Sequence, residues 1–338
     1  MFGGFEYMNI LITAPQGDTF DRHFPPQMLD RLRELGELTI NPNRRQYTRD
    51  ELKEQLADVD IILTHWGMTQ LDAELLDRAP RLKLLAHCAG TVAHIASEEC
   101  YIRGIPVLSA NPIMAKYVAE WVLGAMIAGL RQFVWYDNGM RDGKWLRSPA
   151  TAGSLFQNRV GLIGLGTVGR RLLELLRPFG CGVRVYDPYI PKSALDEYEF
   201  ARISSFEDAM SCPIVSVHAS QTPETYHIIN ADALRLIPDD GLLINSSRGS
   251  LVDTEAAISE LETGRIRMVF DVYEHEGHAQ DSRLLACRDN TILLPHTAGN
   301  PAGSNMTAGI IDDIERFIKG EAMRLVVSHE QYVHMTQE

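Results

Sequence analysis

The sequence predicts an α/β protein built as two doubly wound parallel-sheet domains, and three observations carry that expectation. Short apolar runs alternate with helix-like segments along the chain, the pattern of parallel strands covered on both faces by helices. One long apolar helical segment near the middle divides the alternation into two series. The length, 338 residues, suits about two domains.

In the first series "NILITA" reads as a strand and "PPQMLDRLRELG" as a helix with Gly36 near its end. "DIILTHW" is a second strand, "LDAELLDRAP" a helix stopped by Pro80, and "LKLLAHCAG" and "IPVLSA" are further strands. This series closes near Ala110. A single long helix is expected from about Ile113 to Met140, through "YVAEWVLGAMIAGLRQFVWY". Its apolar residues nearly surround the axis, which predicts a helix buried between bodies rather than lying on a wet surface. A polar connection, "RDGKWLRSPATAGSLFQ", leads to the second series. Strands are expected there at "RVGLIG", "GVRVYD", "PIVSVHA", "GLLINSS", "IRMVFDVY" and "NTILLPH". The tail "TAGIIDDIERFIKGE" is an amphipathic helix ended by Gly320.

Bulk properties narrow the function. A formal net charge of −13 argues against a general nucleic-acid or anionic-membrane binder, which needs a basic surface. Five scattered cysteines with no CxxC pair fit reduced thiols better than a disulfide framework. No stretch reaches about 18 consecutive apolar residues. The N-terminus lacks a basic region followed by a long apolar core, so a signal peptide is not expected. A cytoplasmic protein is the expectation.

The strongest local signal is "RVGLIGLGTVGRR", where Gly164-x-Gly166-x-x-Gly169 follows an apolar strand and opens a helix. Gly164 permits the tight turn, Gly166 lets backbone approach a pyrophosphate, and Gly169 allows close helix–strand packing. The helix N-terminus adds unsatisfied N–H groups and a favourable dipole. A lone GxGxxG is weak, but here the next strand, "VRVYD", ends in Asp187, about 18 residues past the last glycine. A carboxylate there accepts hydrogen bonds from ribose hydroxyls and repels a 2′-phosphate. The reading is a Rossmann domain that binds NAD rather than NADP.

In such folds ligands sit beyond the carboxyl ends of the strands. Arg248 follows "LLINSS", Asp271 and Glu276 follow "IRMVF", and His296 follows "TILLP". Any one of these alone is an ordinary surface or loop residue. Three successive strand ends carrying such groups suit hydride transfer at the keto group of a small carboxylic acid. A guanidinium grips a carboxylate through two parallel hydrogen bonds. The histidine is the general acid, a carboxylate beside it fixes its tautomer, and Asp271 is expected at the nicotinamide carboxamide.

These stretches resemble the D-isomer-specific 2-hydroxyacid dehydrogenase family, whose members include D-3-phosphoglycerate dehydrogenase and glyoxylate/hydroxypyruvate reductase. The resemblance rests on "GLIGLGTVGRR", "VHASQTPETYHIIN", "LLINSSRGSLVD", "FDVYEHE" and "LLPHTAG", with "NPIMAKYVAEWVLGAM", "MRDGKW" and "FIKGEAMRLVV" in family order. It implies that Arg248 binds substrate, that Glu276 pairs with the histidine and that His296 is the acid/base. Glu274 is the competing carboxylate; the family spacing, five residues after the aspartate, selects Glu276. Cofactor contacts carried over are Thr167, Val168, Asp187, Thr222, Ser246, Arg248 and Asp271, beside the three glycines. The resemblance also implies a homodimer and a split, flavodoxin-like substrate domain, residues 1–110 and 300–338, completed by the C-terminal helix. The NAD-binding domain is then 111–299.

The chain departs from the family in the first-domain loop, where "HCAGTVAHIA" carries no aspartate. Backbone N–H groups around Ala89, Gly90 and Thr91 remain candidates to hold a substrate carboxylate. Gly277 and Ser220 stand where the family has prolines. "HEGH" at 275–278 falls one residue short of a zinc motif, and His87, Cys88 and His94 lack a sensibly spaced fourth ligand, so no metal is expected. His87 and His94 read as cleft-lining or loop histidines, and the four tryptophans as core or interface residues. Two other functions stay open: an NAD(H)-sensing corepressor-like regulator on the same fold, and formate dehydrogenase, which has glutamine where this chain has Glu276.

Overall fold

In the computed structural model, which describes residues 7–146, 153–277 and 280–336, the apolar runs pair into two parallel sheets. The chain divides into two units, residues 1–114 with 301–338, and residues 115–300.

In the first unit β1 (Met8–Ile12) leads through α1 (Asp18–His23) and α2 (Pro26–Leu35) to β2 (Gly36–Ile40). Then come α3 (Arg49–Gln55), β3 (Ile61–Thr64), α4 (Ala73–Asp77), β4 (Leu84–His87), α5 (Glu98–Ile102), β5 (Val107–Ser109) and the start of α6 (Asn111–Leu130). The strand order β2-β1-β3-β4-β5 is the flavodoxin-like order. Alternate strand residues Leu11, Ile62, Leu85 and Val107 pack on one face against Leu52, Leu56 and Leu75. Each fully buried side chain of this size contributes about 1.5–3 kcal/mol.

The C-terminal segment completes this unit. Arg31 of α2 pairs with Asp312 at 2.8 Å and Glu315 at 2.6 Å on α13 (Gly303–Ile318). The buried Asp313 carboxylate accepts the N–H groups of Arg324 and Leu325, both at 2.6 Å. That fixes residues 325–327 to pair antiparallel with β5, Ser109 N–H to Leu325 O at 3.0 Å and Val327 N–H to Val107 O at 2.8 Å. A short α14 (His329–Val333) follows.

The second unit runs α7 (Phe133–Arg141), β6 (Arg159–Ile163), α8 (Thr167–Leu176), β7 (Gly182–Tyr186), β8 (Ala201–Ile203) and α9 (Phe206–Met210). It continues β9 (Ile214–Val217), α10 (Ala231–Leu236), β10 (Leu242–Asn245), α11 (Thr254–Glu262), β11 (Arg267–Phe270), α12 (Ser282–Ala286) and β12 (Thr291–Leu293). The order β12-β11-β10-β9-β6-β7-β8 is the dinucleotide-binding order with a seventh strand, and it reverses between β6 and β9. A buried stripe of Ala115, Val118, Val122, Ala125, Met126 and Gly129 fixes α6.

Three expectations are corrected. The long helix is two helices, broken at Gln132, whose φ of 53° is left-handed and cannot propagate an α-helix. Within this chain its α6 part buries one stripe and leaves Trp121, Leu123 and Ile127 half-exposed. Two strands, β2 and β8, were not anticipated; both are edge strands whose side chains are half wet. Trp66 and Trp145 are exposed, not core.

Candidate active site

The glycine-rich loop joins β6 to α8, at the switch point of the second sheet. Gly164 has φ 94°, and a side-chain carbon there would lie 2.6 Å from the Ala219 nitrogen, so both conformation and space demand glycine. Gly169 sits against the Gly164 carbonyl, where a side-chain carbon would come to 3.2 Å. Gly166 differs: it is exposed, and a side-chain carbon would meet nothing within 4 Å. It is the N-cap of α8 and supplies no side-chain hydrogen bond to the helix N–H groups. Thr167 and Val168 form the half-exposed first turn. An uncapped helix start with open space before it suits a diphosphate. Asp187, just past β7, accepts from Leu165 N–H at 2.8 Å and Tyr189 N–H at 2.9 Å. Its carboxylate therefore holds the glycine loop, each oxygen accepting one backbone N–H.

Arg248, Glu276 and His296 follow the carboxyl ends of β10, β11 and β12, three strands paired side by side. Asn245, the buried last residue of β10, braces the arginine loop: its amide donates to Arg248 O at 2.8 Å and its carbonyl accepts from Ser247 N–H at 3.1 Å. The Ser247 hydroxyl reaches back to Ala219 O at 2.7 Å. Ser246 and Thr222 lie half-buried in the loops that leave β10 and β9. Arg248 itself is half-buried, one guanidinium nitrogen donating to Ser247 O at 2.9 Å.

His296 Nδ1 lies 2.8 Å from Glu276 Oε2, and both side chains are open to solvent, 52% and 42%. A carboxylate only accepts, so Nδ1 carries the hydrogen and Nε2 is left for chemistry. The other oxygen of Glu276 accepts from Tyr273 N–H at 3.4 Å. His296 has φ 54°, a conformation costly for a residue with a side chain and held only by surrounding contacts. Those contacts come from Asp271. Its carbonyl accepts His296 N–H at 2.7 Å, and its buried carboxylate accepts Thr297 N–H at 2.8 Å and Ala298 N–H at 2.9 Å. Asp271, expected at the carboxamide, has both oxygens engaged by the His296 loop.

Glu274 faces elsewhere: it bonds His227 Nε2 at 2.6 Å and the Thr254 hydroxyl. Geometry thus pairs Glu276, not Glu274, with His296. Gly277 has φ 75°, which proline cannot adopt, so the loop after Glu276 takes a path closed to the family's proline.

In the first unit Ala89, Gly90 and Thr91 follow β4. The Ser109 hydroxyl reaches Ala89 O at 3.3 Å and also contacts Gly90 O. Because a trans peptide sets C=O and N–H on opposite sides, the Gly90 and Thr91 N–H groups point away from Ser109. His87 ends β4, within the strand expected at "LKLLAHCAG", fully buried, with Nδ1 2.7 Å from Thr64 Oγ1. Burial pushes the Cys88 thiol up to about 12, so it packs as a neutral group. Among the described residues no three His, Cys, Asp or Glu are placed to share a metal ion. His278, the end of "HEGH", and residues 147–152 of the polar connection lie outside the described residues.

Sequence reasoning missed Asn245 and the anchoring work of Asp271. Both are polar residues at the last position of a strand or just beyond it, and that placement was the available signal.

A family model described as D-isomer specific 2-hydroxyacid dehydrogenase, NAD binding domain, matches residues 123–298. The chain is 30% identical to glyoxylate reductase of Thermofilum pendens over 91% of its own length and 93% of that relative. It is 29% identical to D-3-phosphoglycerate dehydrogenase of Methanocaldococcus jannaschii over 88% of its length, and spans 56% of that longer protein. A crystal structure of D-lactate dehydrogenase from Aquifex aeolicus, complexed with NAD and lactic acid, superposes with a TM-score of 0.70 at 25% identity. The match covers 92% of this chain and 96% of that one.

Proposed function

The chain belongs to the D-isomer-specific 2-hydroxyacid dehydrogenase family, NAD-dependent oxidoreductases, and on that premise we propose that it interconverts a small 2-ketoacid and its D-2-hydroxyacid. The observation that carries the proposal is the 2.8 Å pair between Glu276, past β11, and His296, past β12, the strand next but one to the β10 that leads to Arg248. Neighbouring strands lie about 4.8 Å apart, so the β10 and β12 backbones are separated by roughly 10 Å. Arginine and histidine side chains can close that gap around a molecule of a few heavy atoms.

Bound NAD(H) supplies or accepts the hydride. The open, uncapped turn at Gly166, Thr167 and Val168 fits its diphosphate, and Asp187 fits its ribose. Thr222 and Ser246 would line the same side. Asp271 can reach a carboxamide only with a lone pair its loop contacts leave over. Arg248 binds the substrate carboxylate through its planar fork and polarises the adjacent carbonyl. His296 Nε2 gives a proton to the carbonyl oxygen in reduction and removes it in oxidation, with Glu276 stabilising the charged ring. The Gly90 and Thr91 N–H groups, with that of Ala89, are proposed as further carboxylate donors. Five free cysteines, four of them buried, support a reducing, cytoplasmic setting, and a homodimer is the proposed assembly.

The test is a panel of 2-ketoacids, glyoxylate and hydroxypyruvate among them, assayed with NADH and NADPH side by side. Turnover of at least one with NADH preferred is the expected result. Binding of NADH without turnover of any ketoacid would favour the regulator, and formate-dependent NAD reduction would favour formate dehydrogenase.

A further inference from the structure

We propose that His227 and Glu274 form a clasp that positions Arg248 and Glu276 relative to one another, a role that rests on the reductase reading of those two residues. The pair lies outside the reacting set, yet it joins three loops that follow β9, β10 and β11. Glu274 Oε1 accepts from His227 Nε2 at 2.6 Å, and its Oε2 accepts from the Thr254 hydroxyl at the first position of α11. Burial raises the Glu274 carboxyl and is outweighed by the bonds from Thr254 and His227, so it sits below its ordinary range. An ionised carboxylate only accepts, which places the hydrogen on His227 Nε2.

The backbone supports the same connection. Gly249, next to Arg248, is pressed so closely on the Tyr273–Glu274 peptide that a side-chain carbon there would overlap it. His227 N–H donates to Ser250 O at 2.8 Å, Ile229 N–H to Leu251 O at 3.0 Å, and Asp253 N–H to Ile229 O at 3.0 Å. His227 is held at φ 50° and stacks on Tyr226 with ring centroids 3.9 Å apart. Strain at a side-chain-bearing residue persists where its surroundings over-determine it. From Glu274 the path to chemistry is one turn long: Tyr273 N–H orients the Glu276 carboxylate, which orients His296. The clasp therefore sets the arginine loop from one side and the glutamate turn from the other.

The test uses Glu274→Ala, Glu274→Gln, His227→Ala and the double alanine variant. Glutamine keeps an acceptor for His227 and offers its amide to the Thr254 oxygen, so it restores the hydrogen bonds without the charge. Glu274→Ala should lower kcat for the ketoacid about tenfold or more, as misplacement at a distance does. It should also raise the ketoacid KM and leave the NADH dissociation constant within about twofold. Glutamine should recover most of the loss, and the double variant should be no worse than the poorer single one. Hydrogen exchange of segments 248–252 and 273–276 should quicken in both single alanine variants, a readout that needs no turnover. His227→Ala carries the test should Glu274→Ala fail to fold. Native exchange and kinetics in the alanine variants, additive losses, or a glutamine variant as poor as alanine would overturn the clasp. Faster exchange in a protein whose native form reduces no ketoacid would instead overturn the reductase reading and leave the clasp standing.

Discussion

At the carboxyl ends of the first sheet, His65 and His87 are buried without a carboxylate partner among the described residues, whereas in the second unit His227 and His296 each meet a glutamate and stay partly open to water. His65 follows β3 and His87 ends β4, with His23 stacked edge-on against His65 at 4.1 Å between ring centroids. Burial lowers His65 to about 2, helped by the fields of His23, His87 and Arg22, and lowers His87 to about 3, helped by His94. Burial and Arg22 lower His23 to about 4, against a bond with the Gly303 backbone. These imidazoles are neutral packing groups. The strand-end position that makes a residue a candidate is shared by both sets. What separates them is a carboxylate that fixes the ring and access that lets a proton leave.

The sharpest way to break this contrast is His296→Gln. Glutamine keeps polarity and volume but cannot exchange a proton, so kcat for the ketoacid should fall about 10²–10⁴-fold. The NADH dissociation constant, read by fluorescence, should move little, since the glycine loop and Asp187 are untouched. Turnover within a factor of two of native would show that the exposed pair at β12 carries no proton and is no different in kind from the buried set.

Arg248→Lys asks whether the second unit's strand ends hold an anion as well as a proton. Lysine keeps the charge and loses the planar fork, and one charged hydrogen bond of about 1.5–3 kcal/mol corresponds to roughly ten- to a hundredfold in kcat/KM. The loss should appear mainly as a higher ketoacid KM. Unchanged ketoacid kinetics would remove Arg248 as the carboxylate grip and leave the proton chemistry without its substrate anchor.

The same contrast marks what could be read in advance. Central strands such as "LLIN" and "IVSV" are buried on both faces, so their apolar runs announce them. β2 and β8 lie at sheet edges, and "GELTI" and "ARI" show only half their faces to the core. The break at Gln132 has no sequence marker, since neither glycine nor proline occupies it. In the site, Arg248, Glu276 and His296 were legible because each follows a recognisable strand within a family pattern. Asn245 and the second engagement of Asp187 were not, because their work is to hold backbone: Asn245 fixes the Ser247 N–H and the Arg248 carbonyl of its own loop, and Asp187 the Leu165 N–H of the glycine loop. For His87 the sequence leaves a strand end in "LKLLAHCAG" beside a cleft-lining or loop histidine. The structure carries β4 through it, with Thr64 answering its Nδ1.

The buried set should reveal itself in acid. His23, His65 and His87 have folded values below the unfolded 6.5, so each is neutral in both states above that pH and contributes no dependence there. As the pH falls below 6.5 the unfolded chain binds protons that the folded chain refuses, and stability declines. The decline runs down to about 4 for His23, about 3 for His87 and about 2 for His65, at most about 1.4 kcal/mol per pH unit for each. His87→Asn places an amide where Nδ1 meets Thr64 and removes one titrating ring. The first unit's urea stability, followed by hydrogen exchange of β3 and β4 between pH 6.5 and 4.5, should then fall less steeply, by up to about 1.4 kcal/mol per pH unit. A native slope in that variant would mean His87 takes up its proton in the folded protein, and the line drawn between the two sets of histidines would not hold.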